Sequence, residues 1–435
     1  MTSTTGRPLS VALLNATDYA GGAESVVRML RDGLRCRGHE AVLWVGRQRS
    51  KDNAEHTRRL PGKAFQRRAA KRYAEKGFFN IGLPASLSFC QSTALSGVDL
   101  VHLHNLHGHY FSITAVPRLT ERAPLVWTFH DFFPITGGCV FPYNCDRWMS
   151  RCGSCPQQGQ YPIATEFDRT RRMQSIKRQA FRDLPVTIVT PSRHLNGAVK
   201  RSGVFTAADV HIIPYGVDTH VFQPGRREAR MHLGLSPDRP VVLLAAQGLD
   251  DPRKGIEHAV TALRQVSVPG LAVLLVGSGD VEPVVQTLLM HEVRALGYLT
   301  NRTEVARCYA AADLFIFTSL AENFPCVVQE AMACGTAVLA FDIDGVNEQI
   351  THDRTGFLVP TGDTDRLTRA AGQLLRNTAG LAEIGSAAGR HAQAHWTLEA
   401  FLDHHERLYR DILDRTDRLS RAKSKGMQSG SPHVC

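Results

Sequence analysis

Twice along this chain, short apolar runs alternate with helical patterns, and a segment rich in chain breakers separates the two series. Strands that are apolar from end to end are buried on both faces, and that happens in parallel sheets covered by helices. The first series opens with the apolar run 10–15 and passes through Ala20-Gly21-Gly22-Ala23 into a helical pattern over 24–34. It resumes as a strand at 40–45. This is a βαβ unit with a glycine turn at the carboxyl end of its first strand. Further strands are predicted at 99–103, 125–130, 186–190 and 210–213. Residues 222–239 carry Gly, Pro and Arg and read as a linker with a short helix. The second series predicts strands at 241–245, 271–276, 293–296, 314–317, 336–341 and 356–359, with helices near 281–289, 303–311 and 327–333. The expected class is therefore α/β, with two doubly wound Rossmann-like domains facing a cleft. The first spans 1–218 and the second 240–395, joined by a linker at 219–239. A closing helix at 396–415 is expected to pack back on the first domain, followed by a polar, basic and disordered tail at 416–435. Ligands should bind in the cleft, outside the carboxyl ends of the strands.

The 435 residues, 43% hydrophobic and 21% charged, suffice for domains with sizeable cores. No apolar run is long enough to span a bilayer, and residues 1–9 lack the apolar stretch of a secretory signal, so a cytoplasmic protein is expected. The formal charge of +10 comes from 51 Lys and Arg against 41 Asp and Glu. Much of the excess lies at 47–76, where Arg58, Arg59, Lys63, Arg67, Arg68 and Lys71 interleave with apolar residues. Such a segment reads either as a basic amphipathic helix on an anionic membrane surface, at the inner face of the cell membrane, or as a solvated helix face. Nothing matches a nucleic-acid-binding module, so no nucleic-acid partner is expected.

The segment Glu322-Asn323-Phe324-Pro325-Cys326-Val327-Val328-Gln329-Glu330 follows the predicted strand 314–317 and so begins in a cleft loop. A helix starting after Pro325 would offer free backbone N–H groups and a positive dipole end, a ready phosphate site. Glu322 precedes that helix and Glu330 lies inside it, and a carboxylate suits the vicinal hydroxyls of a sugar or ribose. Lys254-Gly255 opens a helix after the strand 241–245, where a cation can neutralise a departing diphosphate. Gly21-Gly22 would let backbone approach the same group. His130-Asp131 closes the strand 125–130 at a cleft edge.

These residues resemble, in order and spacing, the family 4 retaining glycosyltransferases of GT-B fold, including their exopolysaccharide or colanic-acid branch. The E-x7-E pair, Gly21-Gly22, His130, Pro191-Ser192, the break at 214–218 and Lys254-Gly255 carry the likeness. The resemblance implies transfer of a hexosyl group from a nucleotide-sugar donor to a hydroxyl, with no catalytic metal and no protein nucleophile. It implies that His130, Lys254 and Glu322 serve the reacting centre, Glu322 and His130 touching the donor sugar. Glu330 would take the ribose hydroxyls, the backbone of Asn323, Phe324, Pro325, Cys326 and Val327 the sugar and diphosphate, and Leu299 the base. The first domain would take the acceptor, a lipid-linked or polysaccharide intermediate, with Glu24, His104 and Asn105 as its candidate contacts. The chain departs from the family at Gln247-Gly248-Leu249, where an arginine ordinarily follows the glycine, and Arg253 is the candidate replacement. A nucleotide-sugar 2-epimerase of the same fold and a non-catalytic nucleotide-sugar-binding partner subunit are the alternatives.

Two clusters could hold metal. Cys139, Cys145, Cys152 and Cys155 end in a Cys-x-x-Cys with an adjacent glycine, and four thiolates suit a structural zinc. His102, His104, His107 and His109 are a second, looser set.

Overall fold

A computed structural model describes residues 7–19, 21–49, 54–61 and 64–428. Seven parallel strands form the first sheet: β1 (Ser10–Thr17), β2 (Glu40–Arg47), β3 (Thr57–Arg59), β4 (Leu100–Leu103), β5 (Leu125–Thr128), β6 (Val186–Thr190) and β7 (Asp209–Ile212). Six more form the second: β8 (Val241–Gly248), β9 (Ala272–Ser278), β10 (Glu292–Ala295), β11 (Leu314–Phe317), β12 (Ala337–Asp342) and β13 (Phe357–Pro360). Their spatial orders are β3-β2-β1-β4-β5-β6-β7 and β10-β9-β8-β11-β12-β13. In each sheet the order reverses once, at β1 beside β4 and at β8 beside β11. A crevice opens beyond the strand ends at such a reversal, because the helices that follow leave on opposite faces.

The central strands β4, β5, β6 and β11 are buried at every position, which is why their apolar runs were legible. Behind them Trp127, Phe129, Phe181 and Phe205 form an aromatic cluster with ring centroids 5.1–5.8 Å apart. Each such pair adds about 0.5–1.5 kcal/mol beyond its buried area.

Two expectations are corrected. The basic segment is not one helix: the edge strand β3 interrupts it, and the helix Ala64–Glu75 takes only its second half. Lys51 and Lys63 lie outside the described residues, as does the side chain of Arg67. The last helix, Leu398–Gln428, continues past 415, so 416–428 is helical rather than disordered. A helix nucleated by packing extends at little further cost. Residues 429–435 lie outside the described residues.

That helix returns to the first sheet after the chain has crossed to the second. Val217 N–H donates to Trp396 O (2.7 Å) and Leu398 N–H to Val217 O (2.9 Å), sealing the second crossing. Arg37 then donates to Asp403 (2.6 Å) and Glu406 (3.2 Å), and the buried Tyr409 hydroxyl meets His102 Nδ1 at 2.6 Å. Among the described residues no helix is long and apolar enough to cross a membrane.

Candidate active site

Both order reversals open onto one cleft of about 880 Å³. Gly21, Gly22 and Glu24 reach it from the end of β1, and Asn105 and His107 from the end of β4. Arg253 and Lys254 come from the turn after β8, and Glu322 to Cys326 from the turn after β11.

The helices that begin here are bare at their amino ends. Gly22–Cys36 starts at Gly21, and Cys326–Ala333 at Pro325, and neither has a side-chain cap. Side-chain caps occur at some other helices, at Ser192, Asn301, Asp363 and Asn377, but not at those beginning at Pro84, Thr170, Arg226 and Ile256. Omitting a cap costs about 1 kcal/mol. Two uncapped ends from two domains thus present free amides and positive dipole ends to one space. They are close: a Cβ on Gly22 would lie 3.8 Å from Cys326 Sγ. Gly21 itself holds φ 95, where a Cβ would strike the Glu24 carboxylate.

Beside these helix ends stands a charge cluster. Lys254 Nζ and Arg253 Nη1 both donate to Glu322 Oε1, at 2.6 and 2.7 Å. Burial opposes ionisation of Glu322, but Lys254 and Arg253 outweigh it and hold the carboxyl below its ordinary range. Arg253, the candidate replacement for the absent Gly-Arg arginine, thus stands beside Lys254, and the ring of Phe141 covers its guanidinium at 5.0 Å.

A side pocket of about 330 Å³ opens from the cleft and holds Glu330, Leu299 and Val327, with Tyr298, Arg28 and Arg302. Burial pushes the Glu330 carboxyl up to about 7, against the opposing pull of Arg302. The two arginines escaped the sequence reading, because single charged residues in helices carry no signal of their own.

The histidines divide. His130 lines the cleft, but both its ring nitrogens are engaged: Nδ1 meets the Tyr215 hydroxyl at 2.6 Å and Nε2 meets His104 Nδ1 at 3.0 Å. Burial lowers its pKa to about 4, so it is neutral. In this arrangement it braces the cleft wall and has no ring nitrogen to spare for a sugar. His104, expected to touch an acceptor, lies buried behind His130, stacked on His102 at 4.3 Å. Asn105 does line the cleft, as does Glu24, whose carboxyl burial raises to about 7. His107 does so too, its Nε2 donating to Asp131 Oδ2 (3.1 Å) and its Nδ1 facing the Tyr161 hydroxyl (3.2 Å). Burial disfavours its protonation, but the hydrogen bond to Asp131 prevails and raises its pKa. The adjacency of Asp131 to His130 after a strand was the one available hint of this pair.

The domains are stitched around the cleft by polar contacts. Ser192 Oγ donates to Asn323 Oδ1 (2.6 Å), and Asn323 Nδ2 donates to His130 O (3.1 Å). Asn323 thus serves the domain junction, and the neighbouring Phe324 is buried against Tyr215 and Trp396.

The four cysteines line one small cavity of about 20 Å³. Among the described residues, however, no group of three or more His, Cys, Asp or Glu side chains is arranged to hold a metal ion, at the cysteines or at the histidines. The expected zinc site is therefore not shown. Burial keeps Cys139 and Cys152 protonated, raising them to about 12 and about 11. Gln174 bridges the loop, accepting from Cys152 N–H (2.8 Å) and donating to Trp148 O (2.6 Å), while Asp168 accepts from Cys155 N–H (2.9 Å).

Comparison with known proteins adds the lineage. Residues 20–221 match the family described as Glycosyltransferase Family 4, and residues 239–377 that described as Glycosyl transferases group 1. WcaC of Escherichia coli, assigned to colanic acid biosynthesis as a glycosyl transferase, is 26% identical over 268 residues, 59% of this chain and 63% of that protein. A D-inositol 3-phosphate glycosyltransferase of Mycobacteroides abscessus is 37% identical over 195 residues, 42% of this chain and 43% of that protein. The chain thus spans less than two thirds of either relative's length. Among solved structures, sucrose-phosphate synthase from Thermosynechococcus elongatus superposes with a TM-score of 0.71 at 24% identity, over 94% of this chain and 100% of that one. HepE of Anabaena, in complex with UDP-glucose, does so at 0.66 and 20%, over 92% and 99%. At such identities these two likenesses speak for the fold. The two family matches lie one in each half of the chain and leave the linker between them, and the chain belongs to the family 4 glycosyltransferases of GT-B fold.

Proposed function

We propose that this protein transfers a hexosyl group, with retention, from a nucleoside-diphosphate sugar to a hydroxyl of a lipid-linked or polysaccharide intermediate. The observation that carries the reading is the pair of uncapped helix ends, one from each domain, meeting beside Lys254 and Arg253. These four positive features converge on a space where a diphosphate would bridge the domains. Glu330, Leu299 and Val327 in the side pocket then take the nucleoside, the carboxylate accepting from ribose hydroxyls. The UDP-glucose bound by HepE is a donor of this class.

In the reaction the C1–O bond to the diphosphate breaks and a bond from C1 to the acceptor oxygen forms on the same face. The acceptor's proton passes to a phosphate oxygen of the leaving group. Lys254 and Arg253 now share one oxygen of Glu322. Charge growing on the leaving diphosphate draws both cations, which strengthens their contact with it in the transition state. Because protein cations and helix ends supply this charge, the reading is of a metal-independent enzyme. The same two cations argue against a non-catalytic subunit, and the relatives named above are transferases rather than epimerases.

The exposed Arg58, Arg59, Arg68, Lys71, Arg72 and Lys76, with the exposed Tyr73, would hold the protein against an anionic membrane surface. Sedimentation with phosphatidylglycerol vesicles should be lost when these six are replaced by glutamine; unchanged sedimentation removes the membrane from the proposal. The function itself is tested by thermal shift with a panel of UDP-, GDP- and ADP-sugars, since a ligand that binds the folded state raises Tm. A donor that raises Tm should also be slowly hydrolysed or transferred. No shift with any donor would sink the reading.

A further inference from the structure

Beside the acceptor half of the cleft lies another concavity, of about 290 Å³, that the donor chemistry leaves unused. Three neighbouring strand ends build it: Thr17 and Tyr19 at β1, Arg47 and Arg49 at β2, and the turn 107–110 after β4. It joins the main cleft at His107 and Tyr161, which line both. The backbone is shaped to make it. At Gly46 any Cβ would meet the Tyr110 side chain at 2.2 Å, and His109 is held at φ 59, a conformation seldom adopted outside glycine.

The charged side chains that line it are all basic. The guanidinium groups of Arg47 and Arg49 make no ion pair among the described residues. The nearby carboxylates are engaged, Asp18 with the Arg49 amide (2.7 Å) and Asp131 with His107 (3.1 Å). Thr17 Oγ1 and His109 Nδ1 are buried with no hydrogen-bond partner among the described residues. Buried polar atoms are ordinarily paired. Two exposed guanidiniums without an ion pair, on a concavity that no carboxylate lines, suit a ligand with several acceptor oxygens and negative charge, and arginine matches phosphate with paired N–H bonds.

We propose that this concavity binds the phosphate or diphosphate of the acceptor, held by Arg47 and Arg49, while the acceptor hydroxyl reaches past His107 into the cleft. The inference rests on the transferase reading and deepens it by naming the acceptor as a phosphorylated molecule. The ligand could be lipid-linked or a soluble sugar phosphate.

The test is calorimetric titration of inorganic pyrophosphate into the full chain, with UDP or GDP present at saturation to block the donor site. Arg47→Gln/Arg49→Gln should weaken pyrophosphate binding at least tenfold and leave nucleotide affinity unchanged. Pyrophosphate affinity within twofold of the parent in the double variant overturns the proposal. Competition then separates the sources. Displacement by phosphatidylcholine vesicles carrying a prenyl diphosphate assigns a lipid-linked acceptor, and displacement by glucose 1-phosphate a soluble one; displacement by neither overturns the proposal. If the parent binds neither UDP nor GDP while Arg47 and Arg49 still govern pyrophosphate, the transferase reading fails and the anion site stands.

Discussion

On the donor side of the cleft, Lys254, Arg253 and Glu322 share one oxygen and come from the ends of two adjacent strands, β8 and β11. On the acceptor side, His107 reaches 24 residues along the chain to Asp131 and 54 to Tyr161. The donor side rests on helix starts. The acceptor side rests on loops that hold His109, Tyr143 and Ser154 in left-handed conformations. The contrast fits the two jobs. A diphosphate needs only amides and cations at a helix start, which one short segment can supply. An acceptor of particular shape must be met by side chains gathered from several loops.

The largest effect expected from this division is on chemistry at the donor side. Lys254→Ala should lower kcat with an accepted donor by about 10²–10³, the usual loss for one preorganised electrostatic group. Equal kcat values would mean that the leaving diphosphate is stabilised elsewhere. Next, Glu330→Ala should weaken nucleotide binding by about tenfold, as for one charged hydrogen bond, with the acceptor KM unmoved. A changed acceptor KM would erase the separation of the two halves.

The same carboxylate sharpens the comparison through pH. With its pKa at about 7 rather than the ordinary 4.5, Glu330 holds a proton in the folded protein that it loses on unfolding. Its contribution to stability is therefore greatest below 4.5 and falls as pH rises towards 7. Ribose hydroxyls favour the ionised form, so nucleotide binding at pH 6 should release a proton. Calorimetry in buffers of different ionisation enthalpy reads this directly, and Glu330→Gln should abolish it.

On the acceptor side the changes are smaller. Asp131→Asn should raise the acceptor KM about three- to tenfold, the worth of one hydrogen bond of about 1 kcal/mol, while donor hydrolysis persists. It should also lower the pKa of His107, because burial is then opposed by the charge of Glu24 alone. His107 in the parent contributes stability below its ordinary pKa of about 6.5, lost as pH rises through the higher folded value. An NMR titration of His107 that is the same in both proteins would show that Asp131 is not its controlling partner.

Legibility followed burial. Strands β6 and β11 match the sequence expectation end to end, since side chains covered on both faces leave an unbroken apolar run. Strand β3 reads Thr-Arg-Arg, pairs only with β2 at the sheet edge and leaves both arginines exposed, so it carries no such run. His104 was misplaced for a related reason. At a strand end, the sequence gives no sign of whether a side chain turns to the ligand or to a neighbouring wall, and here the ring of His130 stands in front of it.

By itself the sequence determined the two doubly wound halves, the cleft at their strand ends and the cleft loop and helix start from Glu322 to Glu330. Each of these is a local pattern: apolar periodicity, a proline turn and a helix start lie within a few residues of one another. Only the tertiary structure decided that Arg253 stands beside Lys254 on Glu322, that both nitrogens of His130 are engaged, and that Arg47, Arg49, Thr17 and His109 surround one concavity. Those facts depend on which strand ends become neighbours in the sheets, and strand order is set by packing across the whole domain rather than by any short stretch of chain.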